Sequence, residues 1–318
     1  MYVNYKFGKE SIFMKKNDSN KSEKSFSSSS INWYPGHMLK TKKQIIEDIK
    51  LIDVVVEILD ARVPLASQNP DIKQITANKK KVIVLNKSDL ANQAETKKWI
   101  SFFEKQGIKA IEADSNLGKG IKETLKEVQN LMKEDMEKAA SKGRINKNIR
   151  IMIVGIPNVG KSSFINRMTN KKSAEVGNRP GVTKQKQWVR VSSNIELLDT
   201  PGVLWPKFEN EELALKLAYT GTIKDEVIDK TNIAYNLVKY LENNCKKEFF
   251  ERYKLTEQEI NSIIVEEDKY LELMNIIARK RGAIVSGGEI DYEKVSSIIL
   301  NDFRTAKIGK ITLEKVNE

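Results

Sequence analysis

Residues 151–168 read IMIVGIPNVGKSSFINRM, an apolar run, a glycine-bounded loop and then apolar residues at helical spacing. A strand that hands over to a helix through such a loop belongs at the C-terminal edge of a parallel sheet, so this stretch predicts an α/β fold. Its loop fills the pattern G-x-x-x-x-G-K-[ST] with Gly155, Gly160, Lys161 and Ser162. Glycines let the backbone wrap a diphosphate with N–H groups turned inward, and the helix N-terminus adds positive potential. Asn158, Val159, Gly160, Lys161, Ser162 and Ser163 are the candidate phosphate cradle. Lys161 is placed to bridge the β- and γ-phosphates, and the Ser162 hydroxyl to ligate Mg²⁺.

A second half-site stands upstream. KVIVLNKSDL (81–90) reads as a strand running into a polar loop, with Asn86, Lys87, Ser88 and Asp89 at its end. A carboxylate at Asp89 can accept from N1 and N2 of guanine, whereas adenine has no donors there and would leave it unpaired. Asn86 can brace the loop and Lys87 can lie over the ring. EADSN (112–116) follows another apolar run and could add contacts to the base through Asp114 and Ser115. Downstream of the phosphate loop, NRPGVTKQ supplies Thr183 as the candidate switch threonine, sensing γ-phosphate and Mg²⁺. LLDTPG (197–202) supplies Asp199 for Mg²⁺ and the Gly202 N–H for the γ-phosphate. Each of the shorter motifs alone also fits an ordinary turn. Together they describe a pocket for GTP or GDP with Mg²⁺.

The rest of the chain is organised around these motifs. Residues 1–30 are expected to be a disordered extension, because 15–30 (KKNDSNKSEKSFSSSS) are polar and of low complexity. The segment 31–206 is expected to form the nucleotide domain, a six-stranded sheet covered by helices. Its strands are read at 51–62, 80–86, 107–113, 149–155 and about 186–191 and 194–199, with a helix over 119–140. From 207 to 318 helical periodicity dominates, and Gly221, Gly282 and Gly309 fall at expected helix ends. One cysteine, Cys245, excludes an internal disulfide framework and suits a reducing cytoplasm. No apolar run reaches the ~20 residues of a membrane span, so no membrane association is expected. Net charge is +12, and it is clustered: residues 138–150 hold five basic residues and no acid. Residues 167–190 set Arg167, Lys171, Lys172, Arg179, Lys184, Lys186 and Arg190 against Glu175 alone. Such clusters attract polyphosphate backbones, and RNA is the expected partner, the alternative being a solvated face.

The order of the motifs is rotated: base-reading loops first, then phosphate loop, switch threonine and D-T-P-G. In that order the chain resembles circularly permuted P-loop GTPases. WYPGHM (33–38), DAR (60–62) with NP (69–70), GIPNVGKSS, RPGVTKQ and LLDTPGVLWPKF together are similar to the ribosome biogenesis GTPase A family. The resemblance runs from about Ile31 to Gly309, including GTIKDEVI and RKRGAIVSGGEIDY. It implies a circularly permuted GTPase domain followed by a helical domain that contacts the ribosome or its RNA. It also implies a cytoplasmic, monomeric GTP hydrolase of low intrinsic rate. Such a protein binds a late precursor of the large ribosomal subunit, rRNA and ribosomal proteins included, and hydrolyses GTP as assembly completes. The alternatives left open are a GTP-dependent RNA-binding factor in another process and a non-hydrolysing, GTP-regulated scaffold. Val203 occupies the position after Asp-x-x-Gly where many GTPases carry a water-orienting glutamine. The resemblance assigns that water-orienting role to His37, and Lys161 and Thr183 complete the candidate catalytic set through their phosphate and Mg²⁺ contacts. Read on its own, His37 is more readily a capping or packing residue before the entry helix. The resemblance is also compatible with K⁺ held at Asn158.

Overall fold

The computed structural model describes residues 2–7, 10–15, 43–143, 148–169, 188–198, 211–223, 225, 228–263 and 269–316. Two strands, β1 (Tyr2–Phe7) and β2 (Glu10–Lys15), pair antiparallel. They depart from the expected disorder at residues 2–7 and 10–15, while the expectation for 16–30 lies outside the described residues. Polarity is concentrated after residue 15, while YVNYKF and ESIFMK carry the aromatic and β-branched residues that favour extended backbone.

The central sheet has six strands: β3 (Val54–Asp60), β4 (Lys80–Asn86), β5 (Lys109–Glu112), β6 (Ile149–Val154), β7 (Trp188–Ser192) and β8 (Ile195–Leu198). Their order is β5-β4-β3-β6-β8-β7, parallel except for β7, which pairs antiparallel with β8 along one edge. All six lie where the sequence predicts strands, and the β7–β8 hairpin turns at Ser193 and Asn194. β3 is buried along its whole length, as a central strand with both faces covered must be. Its residues alternate between layers: Val54, Val56 and Ile58 join the main core, while Val55 joins the opposite face with Ile45, Ile49, Ile72 and Met152. Glu57 is also buried and is paired with Lys81 at 2.9 Å.

Residues 43–48 are helical (α1), followed by α2 (Pro70–Ile75), α3 (Gln93–Lys105), α4 (Ile121–Ser141) and α5 (Lys161–Met168). α4 buries Ile121, Thr124, Val128 and Met132, one stripe at helical spacing. The helical part comprises α6 (Glu211–Tyr219), α7 (Lys230–Asn244), α8 (Lys246–Tyr253), α9 (Glu257–Asn261), α10 (Lys269–Arg281) and α11 (Tyr292–Arg304). At eight and five residues, α8 and α9 are too short to show a helical period of their own. Gly221 and Gly282 follow α6 and α10 with positive φ, as expected. Gly309 does not end a helix: α11 stops at Arg304, and Ala306 takes the left-handed turn instead.

The chain then returns. Residues 308–316 lie as a strap on the nucleotide half of the molecule. The Leu313 N–H donates to the Arg62 carbonyl at 2.8 Å, and the Thr312 hydroxyl accepts from the Asn92 N–H at 3.1 Å. The Glu314 carboxylate accepts the N–H groups of Leu65 and Ala66, while its carbonyl accepts from Trp99 Nε1.

Candidate guanine-nucleotide site

β3, β4 and β5 grow outward on one side of the sheet, and β6, β8 and β7 on the other. The switch point therefore falls between β3 and β6, where an open parallel sheet forms a crevice at its C-terminal edge. The loops after β3, β4, β5 and β6 meet there, so the rotated order in sequence leaves a single site in space.

Gly155 ends β6 where a Cβ would lie 2.7 Å from the Ile58 carbonyl, so only glycine allows β6 to approach β3 this closely. Asn158 and Gly160 both adopt left-handed backbone, at φ 61° and 92°. That reversal turns the loop back over the start of α5. A Cβ at Gly160 would also collide with the Asn86 side-chain amide. Val159 is buried and anchors the loop in the core, while the Ser162 and Ser163 side chains are exposed at the first turn of α5.

Asn86 joins three loops. Its Nδ2 donates to the Val159 carbonyl at 2.7 Å, and its Oδ1 accepts from the Ser115 N–H at 3.0 Å and hydroxyl at 2.7 Å. The sequence predicted a brace; the structure shows that it spans the base loop, the second base loop and the phosphate loop. Asn86→Ala would leave the buried Val159 carbonyl unpaired and unpin Ser115. The expected cost is about 1–3 kcal/mol, with weaker nucleotide binding. Thermal unfolding with and without GDP would show a lower Tm and a smaller GDP-induced rise.

Lys87 sits in left-handed backbone, and its ammonium donates to the Asn158 carbonyl at 2.6 Å while lying 3.1 Å from Asp60. Beneath it, Asp60 and Arg62 form a buried bidentate pair at 2.9 and 2.7 Å. Burial pushes the Asp60 carboxyl up, but Arg62 and then Lys87 outweigh it and hold the group well below the usual carboxylate range. Asp60 and Arg62 belong to the DAR motif, for which the sequence suggested no role.

Asp89 follows Lys87 at the rim and is only partly covered. Burial raises its pKa, and the neighbouring charge of Asp114 raises it further. Asp114 and Ser115 are buried, and the Asp114 carboxylate accepts the N–H groups of Asn116 and Leu117, which fixes the loop's shape. The Ser88 N–H donates to the Ala113 carbonyl and joins the two base loops. A carboxylate crowded by a second one gains from a ligand that brings donors, as the guanine edge does. The loop backbone and helix start likewise suit a diphosphate, and Ser162 offers one oxygen for Mg²⁺.

The structure thus brings together Asn86, Lys87, Ser88, Asp89, Asp114, Ser115 and residues 158–163. His37, Thr183, Asp199 and Gly202 lie outside the described residues, as do Lys171, Lys172 and Lys184. Cys245 is separate from the site, and burial pushes its thiol up to about 11, away from nucleophilic use.

Comparison with known proteins agrees with this geometry. Residues 150–278 match a family model described as 50S ribosome-binding GTPase. The ribosome biogenesis GTPase A of Bacillus cereus is 44% identical over 288 residues, spanning 91% of this chain and 95% of that protein. The chain belongs to the ribosome biogenesis GTPase A family. A Thermotoga maritima relative of the same name is 32% identical over 286 residues, covering 90% of this chain and 94% of that protein. The crystal structure of GNP-bound YlqF from T. maritima superposes with a TM-score of 0.60 at 29% identity, over 87% of this chain and 98% of that one. As a member of the ribosome biogenesis GTPase A family, the protein binds guanine nucleotide, hydrolyses GTP and serves ribosome biogenesis. Its fold is the circularly permuted GTPase domain with helices after it. Among the described residues, no helix is long and apolar enough to cross a membrane.

Proposed function

We propose that the protein binds a precursor of the large ribosomal subunit and couples GTP hydrolysis to a late assembly step. The observation that carries this reading is the match of residues 150–278 to a family described by 50S binding. The net charge of +12 supports a partner rich in phosphate. Asp89 selects guanine, Asn86 and Lys87 hold the loops, and the backbone of 158–163 receives the phosphates. Lys161 meets the β- and γ-phosphates. Ser162, Thr183 and Asp199 are the Mg²⁺ ligands of this reading, and the ion neutralises phosphate charge when bound. Asn158 is the residue to hold K⁺, Gly202 donates to the γ-phosphate, and His37 positions water, since Val203 cannot.

Two measurements test this. Co-sedimentation with purified large subunits should be strong with a non-hydrolysable GTP analogue and weak with GDP; equal pelleting with both would overturn the nucleotide coupling. Large subunits should also stimulate hydrolysis, and His37→Ala should abolish most of that stimulation while leaving binding nearly intact. Single-turnover hydrolysis on saturating subunits decides it, and equal rates would remove His37 from the chemistry.

A further inference from the structure

The phosphate loop is bonded to the helical part of the molecule through the Asn158 side chain. Asn158 Nδ2 donates to the carbonyls of Gly221 and Thr222, at 3.1 and 3.3 Å. Two carbonyl acceptors fix which end of the amide is nitrogen, because only the NH₂ group can donate to both. The receiving turn after α6 is itself held tightly. Arg304 on α11 donates from Nε to the Tyr219 carbonyl at 3.1 Å and from a terminal nitrogen to the Ala218 carbonyl at 2.8 Å. The same guanidinium grips Asp225 on the far side of the turn with two bonds, at 3.0 and 2.8 Å. Arg62 adds a bond to the Thr220 carbonyl at 3.2 Å. Gly221 is in left-handed backbone and packs against Arg304, so a Cβ there would lie 3.1 Å from Nε. The turn therefore has little freedom to move unless Arg304 moves.

We propose that Arg304 and Asp225 are positioning residues for nucleotide, acting through the Gly221–Thr222 carbonyls on Asn158. Asn158 is pulled from two directions: its carbonyl is held by Lys87 and its amide by the turn. Both grips act on a residue in a strained left-handed conformation, which an asparagine tolerates but does not prefer. With its NH₂ group committed to the turn, Asn158 presents its oxygen to whatever binds at the loop. Loss of the turn frees the amide to rotate and the loop to relax. A partner that shifts α11 would thereby loosen or tighten the grip on the phosphates without touching them. This inference rests on the assignment of the loop as the phosphate cradle, not on which subunit the protein binds.

The test is a double-mutant cycle read by release of a fluorescent GDP analogue from the full chain. Arg304→Met should speed release about fivefold, the scale of coupling carried by packed networks. Asp225→Asn, a milder change that leaves both carbonyl bonds of Arg304 possible, should speed release by a smaller factor and serves if Arg304→Met does not fold. In an Asn158→Ala background, either change should lose most of its effect, because the link it acts through is gone. A residue that merely stabilises the fold would lower the Tm and shift release by the same factor in both backgrounds. Equal factors, or unchanged release in the single variants, would overturn the proposal. If no variant, nor the wild type, binds the analogue, the phosphate-cradle assignment itself fails, and that result is distinct from loss of coupling.

Discussion

Arg62→Ala is expected to destabilise the protein by about 3–5 kcal/mol, the cost of leaving a buried charge without its partner. Asp60 is fully buried and depends on Arg62 for two side-chain bonds and on the Arg62 N–H for a third, at 3.0 Å. Lys87 remains, but it is partly exposed and shared with the Asn158 carbonyl. The pH dependence distinguishes this cause from simple loss of packing. In the wild type, the depressed Asp60 pKa contributes stability above its unfolded pKa, and this is lost as pH falls toward the depressed value. Without Arg62, burial is opposed by Lys87 alone and the folded pKa moves up. The penalty is then present at neutral pH and is relieved as pH falls through the raised value. Denaturant melts should show the gap between variant and wild type narrowing toward acid. Asp60→Asn combined with Arg62→Met should recover much of the loss, since no lone charge is left. A pH-independent gap would assign the effect to packing.

Asp89→Asn is expected to cut GTP affinity on the order of a hundredfold or more, because two bonds to a charged acceptor are weakened at once. An amide can match only one of guanine's two donors. Xanthine nucleotides should gain in relative terms, since their base offers an acceptor where guanine has a donor. The raised pKa of Asp89 adds a second signature. Guanine needs the ionised form, so binding releases protons when the free protein carries Asp89 partly protonated. Wild-type affinity for GDP should therefore begin to fall at a higher pH than an ordinary aspartate would give. Asp89→Asn should lack that component. Titration calorimetry across acidic pH, with GDP and XDP, reads both effects. Undiminished GDP affinity in the variant would displace the guanine assignment.

The parts of this site that the sequence revealed are the parts encoded locally. The phosphate loop and the Asn-Lys-Ser-Asp loop are contiguous, each sits at the end of an apolar run, and their residue types follow from what they bind. The strands were legible for the same reason, since buried parallel strands are continuous apolar runs. What could not be read is held across distance. Asn86 reaches the Val159 carbonyl 73 residues away, and Arg62 reaches the Thr220 carbonyl 158 residues away. No periodicity marks such bonds. Asp60 and Arg62 look like any adjacent charged pair until burial shows that they have no water to fall back on. Glu314 reads as a surface acid near the end of the chain, yet it is largely covered and accepts backbone N–H groups 249 and 248 residues away.

The strap has a consequence for synthesis. A ribosome delivers the base-reading strands first, the phosphate loop second and residues 308–316 after both. Trp99 and the backbone at Leu65, Ala66 and Asn92 must therefore wait for partners that emerge only after both other parts have left the tunnel. Until then those N–H groups are left to water. A nascent chain stalled before Ile308 would hold every candidate nucleotide residue and lack the bonds that tie down Leu65, Ala66 and Asn92. Emergence of the strap, after that of the motifs, is when these bonds can close over the base-reading half.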